Sequence, residues 1–135
     1  SESEIKKIYH FGIKLGLMFQ IKDDILDYED KKITGKVLGN DIKEKKMNLP
    51  LLYAIKNSSK KEKSKIINLL YKPVKKKEDI STIIYFVKNN NGIKDSVKVL
   101  NKYKEEALLM LKKFPDSKYK KSILYLLDFI IEREK

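Results

Sequence analysis

Apolar residues recur at helical spacing along almost the whole chain, and no pair of strand-like runs competes with them. From Glu4, the residues Ile5, Ile8, Phe11, Leu15, Met18, Ile21, Ile25 and Leu26 fall near i, i+3, i+4 and i+7. That spacing predicts one long helix with a wide apolar face, fading over 28–30. Gly12 and Gly16 each cost such a helix about 1 kcal/mol relative to alanine. Four residues apart, they share a face and predict the close approach of another helix. Residues 31–46 have weak periodicity and carry Gly35 and Gly39, which reads as a loop with one short helical turn. Pro50 suits the first turn of the next helix, with Asn48 as its cap, and that helix runs to about Ile55.

Further helices are expected over 61–71, 80–88, 94–112 and 117–132. The Asn57-Ser58-Ser59 break, Pro73, residues 89–92 and the Phe114-Pro115-Asp116-Ser117 break separate them. The run Ile83-Ile84-Tyr85-Phe86-Val87 has strand propensity. A lone strand has nothing to pair with, so helix is the expectation there too. The class is all-α, about six helices in a single segment over 1–135, without internal repeats. The apolar excess of 80–87 and 122–131 is expected to meet helices or partners beyond this chain.

A length of 135 residues suits one domain or part of one. Cysteine is absent, which excludes disulfides and thiolate metal sites and fits a reducing compartment. Ser1 opens a polar segment, so no signal peptide is read. The apolar runs fall short of the roughly 20 residues a bilayer needs. These features read as a soluble, cytoplasmic chain. The net charge of +12 raises nucleic acid as a partner. Against it, Arg133 is the only arginine, and bidentate arginine forks are what base readers use. The lysines are spread over the chain and read as a solvated surface, and no nucleic-acid partner is expected. His10 has no second histidine or cysteine to work with and reads as structural or superficial.

The chemistry concentrates in FGIKLGLMFQIKDDILDYED, residues 11–30. Asp23, Asp24 and Asp27 form D-D-x-x-D at the end of an apolar helix. Like charges one turn apart repel, and the C-terminal end of a helix disfavours anions. A divalent cation would offset that cost of about 1–2 kcal/mol. An all-oxygen set favours Mg²⁺ over zinc, and Mg²⁺ commonly shares a substrate's phosphates. The competing reading is a solvated acidic helix end neutralised by Lys22, Lys31 and Lys32. Context favours the cation. Gln20 stands one turn upstream amid apolar residues. Downstream, Thr34-Gly35-Lys36 and Gly39-Asn40-Asp41 put glycines beside a lysine, which suits close approach of the backbone to a diphosphate.

F-Q-I-x-D-D-I-L-D, then T-G-K-x-x-G-N-D, then K-x-N-L-P-L-L-x-A resembles the second aspartate-rich region of trans-isoprenyl diphosphate synthases. N-G-I at 91–93, Tyr103 with Ala107, F-P-D-S-x-Y at 114–119 and D-F-I-I-E-R at 128–133 resemble the closing helices of the long-chain polyprenyl branch, of octaprenyl or heptaprenyl type. The resemblance covers essentially the whole chain. It implies a helical bundle around a deep cavity, with two aspartate-rich motifs holding Mg²⁺ between them. It implies a prenyltransferase that condenses isopentenyl diphosphate head-to-tail onto an allylic diphosphate in isoprenoid biosynthesis, and a homodimer.

Residue by residue, the resemblance assigns Asp23 and Asp24 to the metal, with Asp27 the motif's last carboxylate and less directly involved. Gln20 matches the glutamine lining the reaction cavity, and Lys36 and Lys46 match lysines that reach the diphosphate. Gln20, Asp23, Asp24 and Lys36 are thus the expected catalytic set. Asp41 matches a loop aspartate assigned first to loop structure. Where the family usually reads glycine-lysine-x-threonine, this chain reads Lys45-Lys46-Met47-Asn48, so a change in the loop backbone is expected. The first aspartate-rich motif and the isopentenyl diphosphate-binding basic residues are expected upstream of Ser1. The chain then matches the C-terminal half of a synthase, inactive alone and completed by an N-terminal half or a complementary subunit. Two alternatives are a non-catalytic regulatory partner subunit and, less favoured, a basic helical nucleic-acid binder.

Overall fold

The computed structural model describes residues 1–29 and 38–134. Among these residues seven helices follow one another: α1 (Glu2–Leu26), α2 (Asn40–Lys43), α3 (Leu49–Lys56), α4 (Lys60–Tyr71), α5 (Lys77–Asn89), α6 (Gly92–Leu111) and α7 (Lys118–Glu132). Among the described residues there is no strand. Six helices correspond to the six expected from periodicity, and α2 is the single turn expected inside the loop. The β-prone run over 83–87 is helical because α5 is the hub of its neighbourhood and meets α2, α3 and α4.

The chain divides into two compact units, Ser1–Asp23 with Lys98–Lys135, and Asp24–Val97. In the second unit the core gathers Tyr28, Ile42, Leu51, Ala54, Ile66, Leu70, Ile83, Phe86 and Val87. Burying each large aliphatic side chain contributes about 1.5–3 kcal/mol. Ile83, Phe86 and Val87 therefore spend the apolar excess of 80–87 inside this unit, contrary to the expectation that it would face outward. Local signals set the helix ends. Ser59 and Glu62 form a reciprocal capping box at α4, and Asp79 accepts the Lys76 N–H at 2.8 Å to open α5 earlier than apolar spacing predicts. Lys72 Nζ donates to the same carboxylate at 2.8 Å and holds it below the usual carboxylate range.

Two backbone features tighten this unit. A Cβ on Gly92 would lie 2.2 Å from the carbonyl oxygen of Pro50, so the start of α6 passes the start of α3 at a distance only glycine permits. Lys45 adopts φ 59°, in the left-handed region. Its N–H donates to the Ile42 carbonyl at 3.1 Å and that of Lys46 to the Asp41 carbonyl at 2.8 Å. This pair of bonds ends α2 in a Schellman motif, whose left-handed position normally holds glycine. Lys45, at the place of the glycine in the family pattern, thus holds a conformation that favours glycine.

In the first unit, Lys14 of α1 pairs with Glu106 of α6 and lies 5.1 Å over the Tyr103 ring. Lys104 of α6 reaches Asp128 of α7 at 3.6 Å. Ser117 caps α7 by accepting the Lys120 N–H at 3.1 Å. Phe11, Met18, Ile21, Leu100, Ala107, Leu111, Leu127 and Ile130 are buried. Ile5, Ile8, Tyr9, Tyr125 and Phe129 are each more than half exposed. Beyond the local backbone of α1, no described atom lies within 4 Å of where a Cβ would stand on Gly12 or Gly16, so the helix predicted to approach there is not among the described residues.

Candidate active site

Asp24 and Asp27 stand at the C-terminal end of α1 and its exit, and both carboxylates accept main-chain N–H groups. Asp24 Oδ2 takes the Leu49 N–H at 3.0 Å. Asn48 Oδ1 takes the Leu51 N–H at 3.3 Å, and Pro50 between them has no N–H to satisfy. The opening turn of α3 is therefore supplied by one aspartate of the motif and one cap residue. Asp27 Oδ1 accepts from Asn40 N–H and its Oδ2 from Asp41 N–H, both at 3.1 Å. The Asp27 carbonyl also accepts the Gly39 N–H at 3.1 Å. Gly39 has φ 72°, and a Cβ there would meet Ile80 Cγ2 at 2.8 Å.

A buried hydrogen-bond chain backs this arrangement. Tyr28 Oη donates to Asn48 Oδ1 at 2.7 Å, and Asn48 Nδ2 donates to Asp41 Oδ2 at 3.0 Å. Burial pushes the Tyr28 phenol well above its ordinary range, and Asp27, Asp41 and Asp24 add to the effect, so it stays a neutral donor. Asn48 is 6% exposed and serves three partners from two atoms, Oδ1 accepting twice and Nδ2 donating once. The departure from the family's threonine thus comes with its own network.

In the first unit, Asp23 lies beside Arg133, whose Nη2 is 3.5 Å from Oδ1. Gln20 is exposed on α1, between buried Met18 and buried Ile21. Lys46 is exposed and pairs with Glu44, which raises the lysine's affinity for its proton and lowers that of the glutamate. Lys36, with Thr34 and Gly35, lies outside the described residues. His10 is exposed, edge-on to Tyr9 at 5.9 Å.

The donor chemistry fits Mg²⁺. Asp23 and Asp24 offer hard oxygens from adjacent positions, and this ion takes one or two carboxylates while filling its sphere with water and phosphate. Among the described residues no three histidine, cysteine or acidic side chains gather into a cage. Sequence reasoning missed that Asp24 and Asp27 cap the next two helices. The signal was present, since Leu49-Pro50 leaves one N–H that Asn48 cannot reach. It also missed Arg133 as a neighbour of Asp23.

Residues 1–87 match the family model described as Polyprenyl synthetase. Heptaprenyl diphosphate synthase component 2 of Bacillus subtilis (strain 168) is 32% identical over 130 residues, which are 96% of this chain and 36% of that protein. The crystal structure of geranylgeranyl pyrophosphate synthase from Bacteroides thetaiotaomicron superposes with a TM-score of 0.88 at 34% identity, covering 98% of this chain and 44% of the other. Polyprenyl synthase from Caulobacter crescentus CB15, complexed with calcium and isoprenyl diphosphate, superposes at 0.84 with 26% identity, covering 100% of this chain and 42% of the other. The chain thus spans less than half the length of these relatives. With the aspartate-rich end of α1 inside the matched residues and the fold shared across the chain, this protein belongs to the polyprenyl synthetase family.

Proposed function

We propose that the 135 residues are the C-terminal, all-helical part of a Mg²⁺-dependent polyprenyl diphosphate synthase, a prenyltransferase that condenses isopentenyl diphosphate with an allylic diphosphate. The observation that carries this reading is the Asp23-Asp24 pair within the family match, on a helix whose relatives include a synthase solved with calcium and isoprenyl diphosphate. Asp23 and Asp24 would hold Mg²⁺, with Asp27 as the motif's third acid. Gln20, Lys36 and Lys46 would contact the diphosphate substrate. When bound, Mg²⁺ supplies charge neutralisation for the departing diphosphate. The chain's own part is to present the two carboxylates from one helix. The Leu49 N–H holds Asp24 from the start of α3, and Arg133 stands beside Asp23.

That the Bacillus subtilis relative is a component 2 supports a complementary polypeptide as partner. A homodimer in the cytoplasm is the assembly we assign. No helix among the described residues is long and apolar enough to cross a membrane, and a chain without cysteine suits a reducing compartment. The test is a chimera in which these residues replace the matching segment of the Bacteroides thetaiotaomicron enzyme. Mg²⁺-dependent prenyl product that is lost with Asp24→Asn supports the reading. A folded, dimeric chimera without product sinks it.

A further inference from the structure

Arg133 is the only arginine in a chain with thirty-one basic lysine and arginine side chains together, and it occupies a site lysine cannot fill. Its guanidinium lies 3.9 Å over the Phe19 ring, and Nη2 donates to the Phe19 carbonyl at 2.9 Å. Only 12% of the side chain is exposed, and Nε is buried without a hydrogen-bond partner among the described residues. A planar, delocalised cation can stack on a ring and donate in its own plane at the same time, whereas an ammonium is a point charge on a flexible stem.

The same group stands 3.5 Å from Asp23 Oδ1, at the outer limit of a hydrogen bond. The short contacts are therefore to Phe19, one turn upstream of Asp23, and the carboxylate receives the charge at longer range. Phe19 fixes the guanidinium, and the guanidinium places its charge beside Asp23. A buried donor left unmade at Nε shows that the placement is not optimised for hydrogen bonding alone.

We propose that Arg133 is a positioning residue for Asp23, set beside it from the C-cap of α7 so that the acid is charge-compensated until a divalent cation takes it. This rests on the reading of Asp23 as a cation ligand. The test is binding of Mn²⁺ alone to the 135-residue chain, followed by loss of the free-ion EPR signal. Arg133→Gln is expected to bind Mn²⁺ about fivefold tighter or more, because a competing charge is gone. Arg133→Lys is expected between the two, and in an Asp23→Asn background Arg133→Gln should change nothing. Unchanged Mn²⁺ affinity in Arg133→Gln, with only a lower melting temperature, overturns the proposal. If the wild-type chain takes up no Mn²⁺, the metal reading fails on its own. A thermal double-mutant cycle between Asp23→Asn and Arg133→Gln then decides whether the pair is coupled, and additivity would dismiss it.

Discussion

Lys45 holds a conformation that costs an L-residue about 1–2 kcal/mol and glycine nothing. Lys45→Gly is therefore expected to stabilise the chain by about 1 kcal/mol, read as a higher urea midpoint with an unchanged slope. Gly92 has the opposite constraint. A methyl group would meet the Pro50 carbonyl at 2.2 Å, so Gly92→Ala should lose about 1–3 kcal/mol in the same measurement, although alanine is the better helix former. The sequence made Asn48 legible as a cap because capping residues have a short, known menu. It could not reveal the contact at Gly92, since Pro50 is distant along the chain and neither residue looks unusual in its own window. Lys45 was legible as a departure from a pattern, but not as a strained residue, because a φ angle leaves no trace in composition.

At the scale of elements, apolar spacing located each long helix, and its ends were misplaced where hydrogen bonds rather than packing decide them. α5 begins before its apolar residues do because Asp79 opens it. That carboxyl is held below its usual range by Lys72 and the Lys76 N–H, so its contribution is complete above the unfolded value of 3.8 and is lost as pH falls through the lower folded value. The stability gap between wild type and Asp79→Asn should therefore be constant at neutral pH and shrink below about pH 4, measured by melting across a pH series. Asp27 joins the exit of α1 to the start of α2. Asp27→Ala should cost about 1–2 kcal/mol and speed amide exchange at Asn40 and Asp41, the two groups its carboxylate serves. Exchange rates at those amides equal to wild type would show that the carboxylate is dispensable there. Reading D-D-x-x-D as metal chemistry alone hid this second duty, since a sequence cannot display which N–H groups lack acceptors.

For the molecule as a whole, one apolar population is inside and another is not. Ile5, Ile8, Tyr9, Tyr125 and Phe129 are exposed, and the open side of Gly12 and Gly16 lies along the same helix as three of them. A chain with this surface is expected to self-associate when purified alone, seen as species larger than 15.9 kDa in sedimentation velocity. It is also expected to make no prenyl product from allylic and isopentenyl diphosphates with Mg²⁺. A monodisperse monomer or robust turnover would count against these two expectations respectively. The all-α class and the motif order were readable from end to end because periodicity and short motifs are local. What covers the outer face of α1 was not, because a face without a neighbour is written in the same residues as a face with one.

The bonds from Gly39, Asn40 and Asp41 back to Asp27 close the chain upon itself within a few residues of where it leaves α1. Whatever is threaded between Glu29 and Leu38 begins and ends at fixed points. Such a closure keeps the acid-bearing end of α1 and the start of α2 in one register.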